Sequence, residues 1–158
     1  MTRWLLALAL ACLFACSAQR AERPAQSEWA RSVARRHAEA DALLEHGDRV
    51  AARRALESIV ASAPAQDPSL PPDAQRVLLQ DTHYRLARLA LDAEQPREAV
   101  RIAGEGLALG ADDVYVANLL VARGAALESL RESDAALTDY GRALAINERL
   151  LRETLEGP

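Results

Sequence analysis

Lysine is missing from this chain altogether, and all 19 of its basic residues are arginine. The formal net charge is −4, with acids interspersed among the arginines, so there is no clustered basic stripe of the kind that tracks nucleic acid. Cysteine occurs only at Cys12 and Cys16, so from residue 17 onward there is neither a disulfide nor a thiolate set for a metal. Aromatic residues make up 4% of the chain against 50% hydrophobic residues, which leaves alanine, leucine and valine to supply most of the apolar material. Alanine and leucine are strong helix formers, so the expected class is all-α. A chain of 158 residues has room for one modest domain.

Constellations that carry chemistry are equally scarce. The histidines, His37, His46 and His83, fall in no H-E-x-x-H or other tight ligand spacing. His37 and Asp41 lie four apart on one helix face and read as a surface pair rather than metal ligands. Gly104-Glu105-Gly106 followed by Gly110 has neither the preceding strand nor the Lys-Ser/Thr of a nucleotide loop. Close helix packing explains the first two glycines and helix termination the third. With no Ser-His-Asp set and no carboxylate pair placed for proton transfer, no catalytic residue, cofactor, metal or small-molecule substrate is expected. A helical-bundle enzyme or metal-binding protein is the least favoured reading.

The N-terminus is a different object. Arg3 gives a short positive start, Trp4 to Phe14 is an unbroken apolar run, and small residues follow, as in a secretory signal. As a helix, Trp4 to Ala18 would span about 22 Å, short of the ~30 Å hydrocarbon core, which disfavours a permanent transmembrane helix. Leu13-Phe14-Ala15-Cys16 resembles the lipobox of bacterial lipoproteins, with Phe14 standing where that family has a smaller residue. The resemblance implies acylation of Cys16 and a membrane anchor facing the periplasm. Ser17 after the cysteine implies the outer membrane. The alternative is ordinary cleavage, for instance after Ala18, giving a soluble periplasmic product. The chain thus divides into a signal over 1–16, a polar tether over 17–27 and a helical domain over 28–156.

Six helices follow from the punctuation. Ser27 caps a first helix from Glu28 to about His46, and Gly47-Asp48 stops it and starts the next, Arg49 to Ser62. Pro64 closes that pair, and the prolines of Ala65 to Pro72 make a loop. A third helix runs from about Asp73 to Ala93. Pro96 opens the fourth, Gly110 ends it, and Asp112 or Asp113 caps the fifth. The last helix begins near Ser133. Leu137, Leu144, Leu151 and Leu155 predict that it continues to about Glu156, either unbroken or with a brief break into a capping helix.

Leu120 to Glu148 carries the clearest pattern. Gly124 sits between Leu120 and Leu127 in one helix, and Ala136, Tyr140 and Ala143 alternate small, large, small in the next. This stretch resembles the tetratricopeptide repeat. Two more units show the pattern less fully, one with Ala87, Ala99 and Gly106 in its small positions, the other with Ala52. Ala103 and Leu56 stand where that family has an aromatic. The early alanines Ala52, Ala99 and Ala136 are spaced more widely than the ~34-residue family period, which requires insertions at the proline loop and at Gly110 to Asp113. The resemblance implies a short α-solenoid of about three helix-turn-helix pairs with a long C-terminal capping helix. An unrelated six-helix antiparallel bundle with the same boundaries is the alternative.

In tetratricopeptide proteins the first helices of successive pairs line a concave groove that binds peptides or partner helices. The resemblance places His37, Asp41, Glu45, Asp81, Tyr84, Arg88, Asn118, Val121, Ala125 and Glu128 on that side. The expected function is a non-catalytic protein–protein interaction module, tethered in a bacterial envelope as a scaffold or assembly factor. The alternative is a structural subunit buried in a larger envelope complex.

Overall fold

The computed structural model describes residues 27–157, and these form six α-helices and no strand. The segment expected to be a signal, with Cys16, and the expected tether up to residue 26 lie outside the described residues. The helices are α1 (Glu28–Glu45), α2 (Arg49–Ala61), α3 (Ala74–Asp92), α4 (Pro96–Ala108), α5 (Val114–Ser129) and α6 (Ser133–Glu156). Local chemistry sets their starts. Ser27, Asp48 and Asp113 each accept backbone N–H bonds of the first turn through their side chains, and Pro96 occupies the first turn of α4.

The three turns within consecutive pairs share one backbone design. At each, a residue in the left-handed region follows the helix end: Gly47 (φ 80°), Glu94 (φ 55°) and Arg131 (φ 62°). The next residue then donates its N–H back across the last turn: Asp48 to the Leu43 carbonyl, Gln95 to Ala90 and Glu132 to Leu127, all at 2.9 Å. This closure satisfies carbonyls left open at a helix C-terminus and reverses the chain immediately.

Each helix packs on its chain neighbours, and α3 additionally packs on α1 and α5. Among the described residues no two helices more than two apart in the chain pack together, and the backbones of α2, α4 and α6 do not approach one another. Small residues make the close approaches possible. Ala52, Ala87, Ala99, Ala136 and Ala143 are all buried. Gly106 faces the His83 Cβ of α3 and the Leu119 methyls of α5, and Gly124 faces the Tyr140 ring. One core joins Val33, Ala40, Leu56 and Ile59 to Leu86, Ile102 and Leu119; a second joins Val116, Ala117 and Leu120 to Ala143 and Ile146.

The long proline-bearing connection after α2 is fastened by Gln75, whose side chain donates to the Pro64 carbonyl at 2.6 Å and accepts from the Asp67 N–H at 2.8 Å. The last helix runs unbroken to Glu156. Its leucine stripe is not its packing face, however. Ala136, Asp139, Ala143 and Ile146 are buried, whereas Leu137, Leu144, Leu151 and Leu155 are exposed.

Candidate functional site

The α1–α3 contact opens into a cleft of about 410 Å³ lined by Ala40, Asp41, Leu44 and Leu56 on one side and Asp81, Tyr84, Arg85, Arg88, Leu89 and Asp92 on the other. Its apolar wall exists because α1 and α2 turn Leu44 and Leu56 toward α3, where Leu89 completes it. The rim is polar and internally connected. Arg85 bridges the helices, with Nη1 donating to Asp41 at 2.8 Å and Nε to Asp81 at 3.0 Å. Burial works against the Arg85 charge, but Asp81 and Asp41 outweigh it and raise its pKa.

His37 of α1 lies next to the cleft, beside Asp81. Thr82 gives its hydroxyl proton to the Leu78 carbonyl, so the His37 Nε2–H donates to Thr82 at 3.0 Å and Nδ1 faces Asp81 at 3.5 Å. Desolvation, with help from Arg85, lowers the His37 pKa despite Asp81 and Asp41. Arg88 is not drawn into this network. Its Nη1 donates to the Tyr84 hydroxyl at 3.1 Å, and its guanidinium lies 6.0 Å from the centre of the Tyr84 ring. An aromatic ring and a guanidinium one turn apart, beside an apolar wall, form a ready contact pair for a partner side chain.

The residues expected on the concave side divide into two sets. His37, Asp41, Asp81, Tyr84 and Arg88 come together at or beside this cleft, with Glu45 exposed near the C-terminal end of α1. Asn118, Val121 and Glu128 are exposed on α5 and Ala125 is half-buried there, and none of the four lines the cleft. Glu128 instead accepts from the Tyr140 hydroxyl at 3.0 Å. Sequence reasoning missed Arg85, whose signal is the aspartate four residues before it on the same helix. It also missed the ion pair inside the last helix pair, where Arg123 donates twice, at 2.7 Å each, to the buried Asp139. That bidentate pair ties α5 to α6 away from the cleft.

Among the described residues no three His, Cys, Asp or Glu side chains group closely enough to hold a metal, and no helix is long and apolar enough to cross a membrane. In comparison with known proteins, the chain matches no protein-family model and shows significant similarity to no curated protein.

Proposed function

We propose that this chain is a short α-solenoid of three tetratricopeptide-like helix pairs that binds a peptide or helix of a protein partner in the α1–α3 cleft, without catalysis. The observation that carries the reading is the cleft itself, with Leu44, Leu56 and Leu89 as its wall and the Tyr84–Arg88 pair on its rim. A preformed apolar recess with a few convergent polar groups suits one anchoring side chain and a charged neighbour. The repeat part of the proposal is supported by the three equivalent turns at Gly47, Glu94 and Arg131 and by the side-by-side packing of α1, α3 and α5. Quasi-one-dimensional arrays have this pattern of neighbour contacts.

The signal-like N-terminus extends the proposal to an exported protein held at a membrane by a lipid on Cys16. A tether of this kind raises the effective concentration of an envelope partner at the cleft. The test is a photo-crosslinking amino acid placed at Tyr84 or Arg88 in the intact chain in cells, with Arg142 of α6 as the control position. Capture of one dominant envelope protein from the cleft, and not from Arg142, is the expected result. Equal capture from both positions identifies a subunit enclosed on all sides, and no adduct from folded, abundant protein rejects the cleft as a binding site.

A further inference from the structure

α6 is longer than the helix it packs on, with 24 residues against 16 in α5, and every residue from Leu151 to Glu156 is exposed. Along one side of it Leu137, Leu144, Leu151 and Leu155 are 67%, 59%, 59% and 77% exposed. Residues seven apart drift by only ~20° around a straight α-helix, so the first three form a nearly axial line. The step of four to Leu155 adds to it the second spacing of a two-helix seam. Beside the line lie Gly141 and Ala145, both exposed, and a Cβ built at Gly141 would meet nothing within 4 Å. A leucine line flanked by small residues is a surface that a second helix can approach closely.

We infer that this face pairs with the same face of a second copy of the chain, the two α6 helices running antiparallel about a two-fold axis at Leu144. A two-fold contact must be self-complementary, and this one is. With Leu144 on its own counterpart, Leu137 of each copy lies opposite Leu151 of the other. On the flank that carries Gly141 and Ala145, Asp134 of each copy falls beside Arg152 of the other, and Glu148 meets Thr138. The charges are available for this. Asp139 is taken by Arg123, and Arg142, Arg149 and Glu153 form pairs on other sides of α6. Among the described residues, Asp134 and Arg152 have no ion-pair partner within the monomer.

An anionic bilayer is the poorer occupant. α6 carries Asp134, Asp139, Glu148, Glu153 and Glu156 against Arg142, Arg149 and Arg152, an acidic balance where surface-binding helices are basic. The pairing is independent of the cleft, which lies on α1 and α3.

The test uses the intact chain in cells, co-expressed with two different epitope tags and carrying a photo-crosslinking amino acid at Leu144, or at Arg142 as the control. The expected product from Leu144 has twice the monomer mass and contains both tags, and Arg142 gives none. A probe at Leu137 maps by mass spectrometry to the neighbourhood of Leu151. Asp134→Arg lowers the Leu144 yield at least tenfold, and the double variant Asp134→Arg/Arg152→Asp restores it. These are exposed positions, and circular dichroism verifies that each variant keeps its helix content. Adducts from Leu144 only to another protein or to lipid, equal homotypic yield from Arg142, or a yield unmoved by the charge reversal would each overturn the pairing.

Discussion

A single methyl group measures how closely these helices approach. Alanine in place of glycine inside a helix gains about 0.5–1 kcal/mol from reduced chain entropy wherever there is room for it. Gly104 has nothing within 4 Å of a built Cβ, so Gly104→Ala is expected to stabilise by that amount. At Gly106 the added carbon would stand 2.8 Å from the His83 Cβ and 2.9 Å from both Leu119 methyls. The His83 Cβ is fixed to the α3 backbone and cannot swing away, so overpacking outweighs the entropy gain and Gly106→Ala destabilises by about 1–2 kcal/mol. Urea midpoints of the two variants should therefore move in opposite directions. The same tight packing governs protons. Burial lowers the His83 pKa below 6.5 even though Glu105 on α4 opposes it, and desolvation lowers that of His37. Arg101 of α4 reinforces the effect at His83, and Arg53 and Glu57 of α2 line the hollow beside it. Each folded-state pKa lies below the unfolded value, so below pH 6.5 the unfolded chain binds protons that the folded chain refuses. Stability is then full above that pH and falls beneath it, with a slope of up to roughly 1.4 kcal/mol per pH unit per histidine, until the folded pKa is reached. Carboxylates act in a lower window. Hydrogen bonding to Arg101 holds Glu98 at about 2 against 4.5, so its contribution is lost only as pH falls from 4.5 toward 2. Between pH 7 and 5, a His37→Gln/His83→Gln double variant should show a flatter urea-midpoint profile than the parent chain.

At the scale of elements, the turns inside the helix pairs are the most repeated feature and were the least evenly legible. Gly47-Asp48 announces its turn, because glycine tolerates positive φ and aspartate caps. Glu94 and Arg131 take the same conformation at φ 55° and 62° with ordinary side chains, so nothing in their identity reveals it. The left-handed region costs a residue with a Cβ roughly 1–2 kcal/mol, and replacing it by glycine removes that while adding chain entropy of about 0.5–1 kcal/mol. Glu94→Gly and Arg131→Gly are therefore each expected to stabilise by up to ~1 kcal/mol, measurable as a rise in thermal midpoint. Gly47→Ala runs the other way. Helix boundaries were legible because caps and prolines are local signals, and Ser27, Asp48, Pro96 and Asp113 all act where the sequence puts them. The packing face of α6 was legible in the run Ala136, Tyr140, Ala143, whose alanines are buried and whose ring meets Gly124. The leucine stripe was the misleading signal, because close approach selects small residues and Leu137 and Leu144 stay exposed. The cleft was half legible. Tyr84, Arg88 and Asp41 were placed by the tetratricopeptide resemblance, whereas the clasp of Arg85 on Asp41 and Asp81 depends on how α1 leans on α3.

For the molecule as a whole, the pattern of contacts decides how it comes apart. The helices α1 and α2 pack on the other helices only through α3, apart from the long arm of Arg53, which reaches Glu98 at 2.8 Å and Gln95 at 3.3 Å. The pair α5–α6 is joined to the remainder through α3 and α4. If the chain is an array of pairs, stability is a sum of pair and interface terms, and one end can open while the other stays folded. A six-helix bundle around one shared core would instead open as a unit. Leu56 discriminates between them, since it is 1% exposed within the α1–α2 pair and also lines the cleft wall. Leu56→Ala should cost about 2–5 kcal/mol, the usual range for such a deletion in a packed core. In the array that loss stays local. Native-state hydrogen exchange should show faster exchange of α1 and α2 amides, a partial effect on α3 and no change in α5 or the buried turns of α6. A uniform drop in protection across all six helices would reject the array and leave an ordinary bundle, because only a single cooperative core carries a defect at Leu56 to Leu120 with equal force.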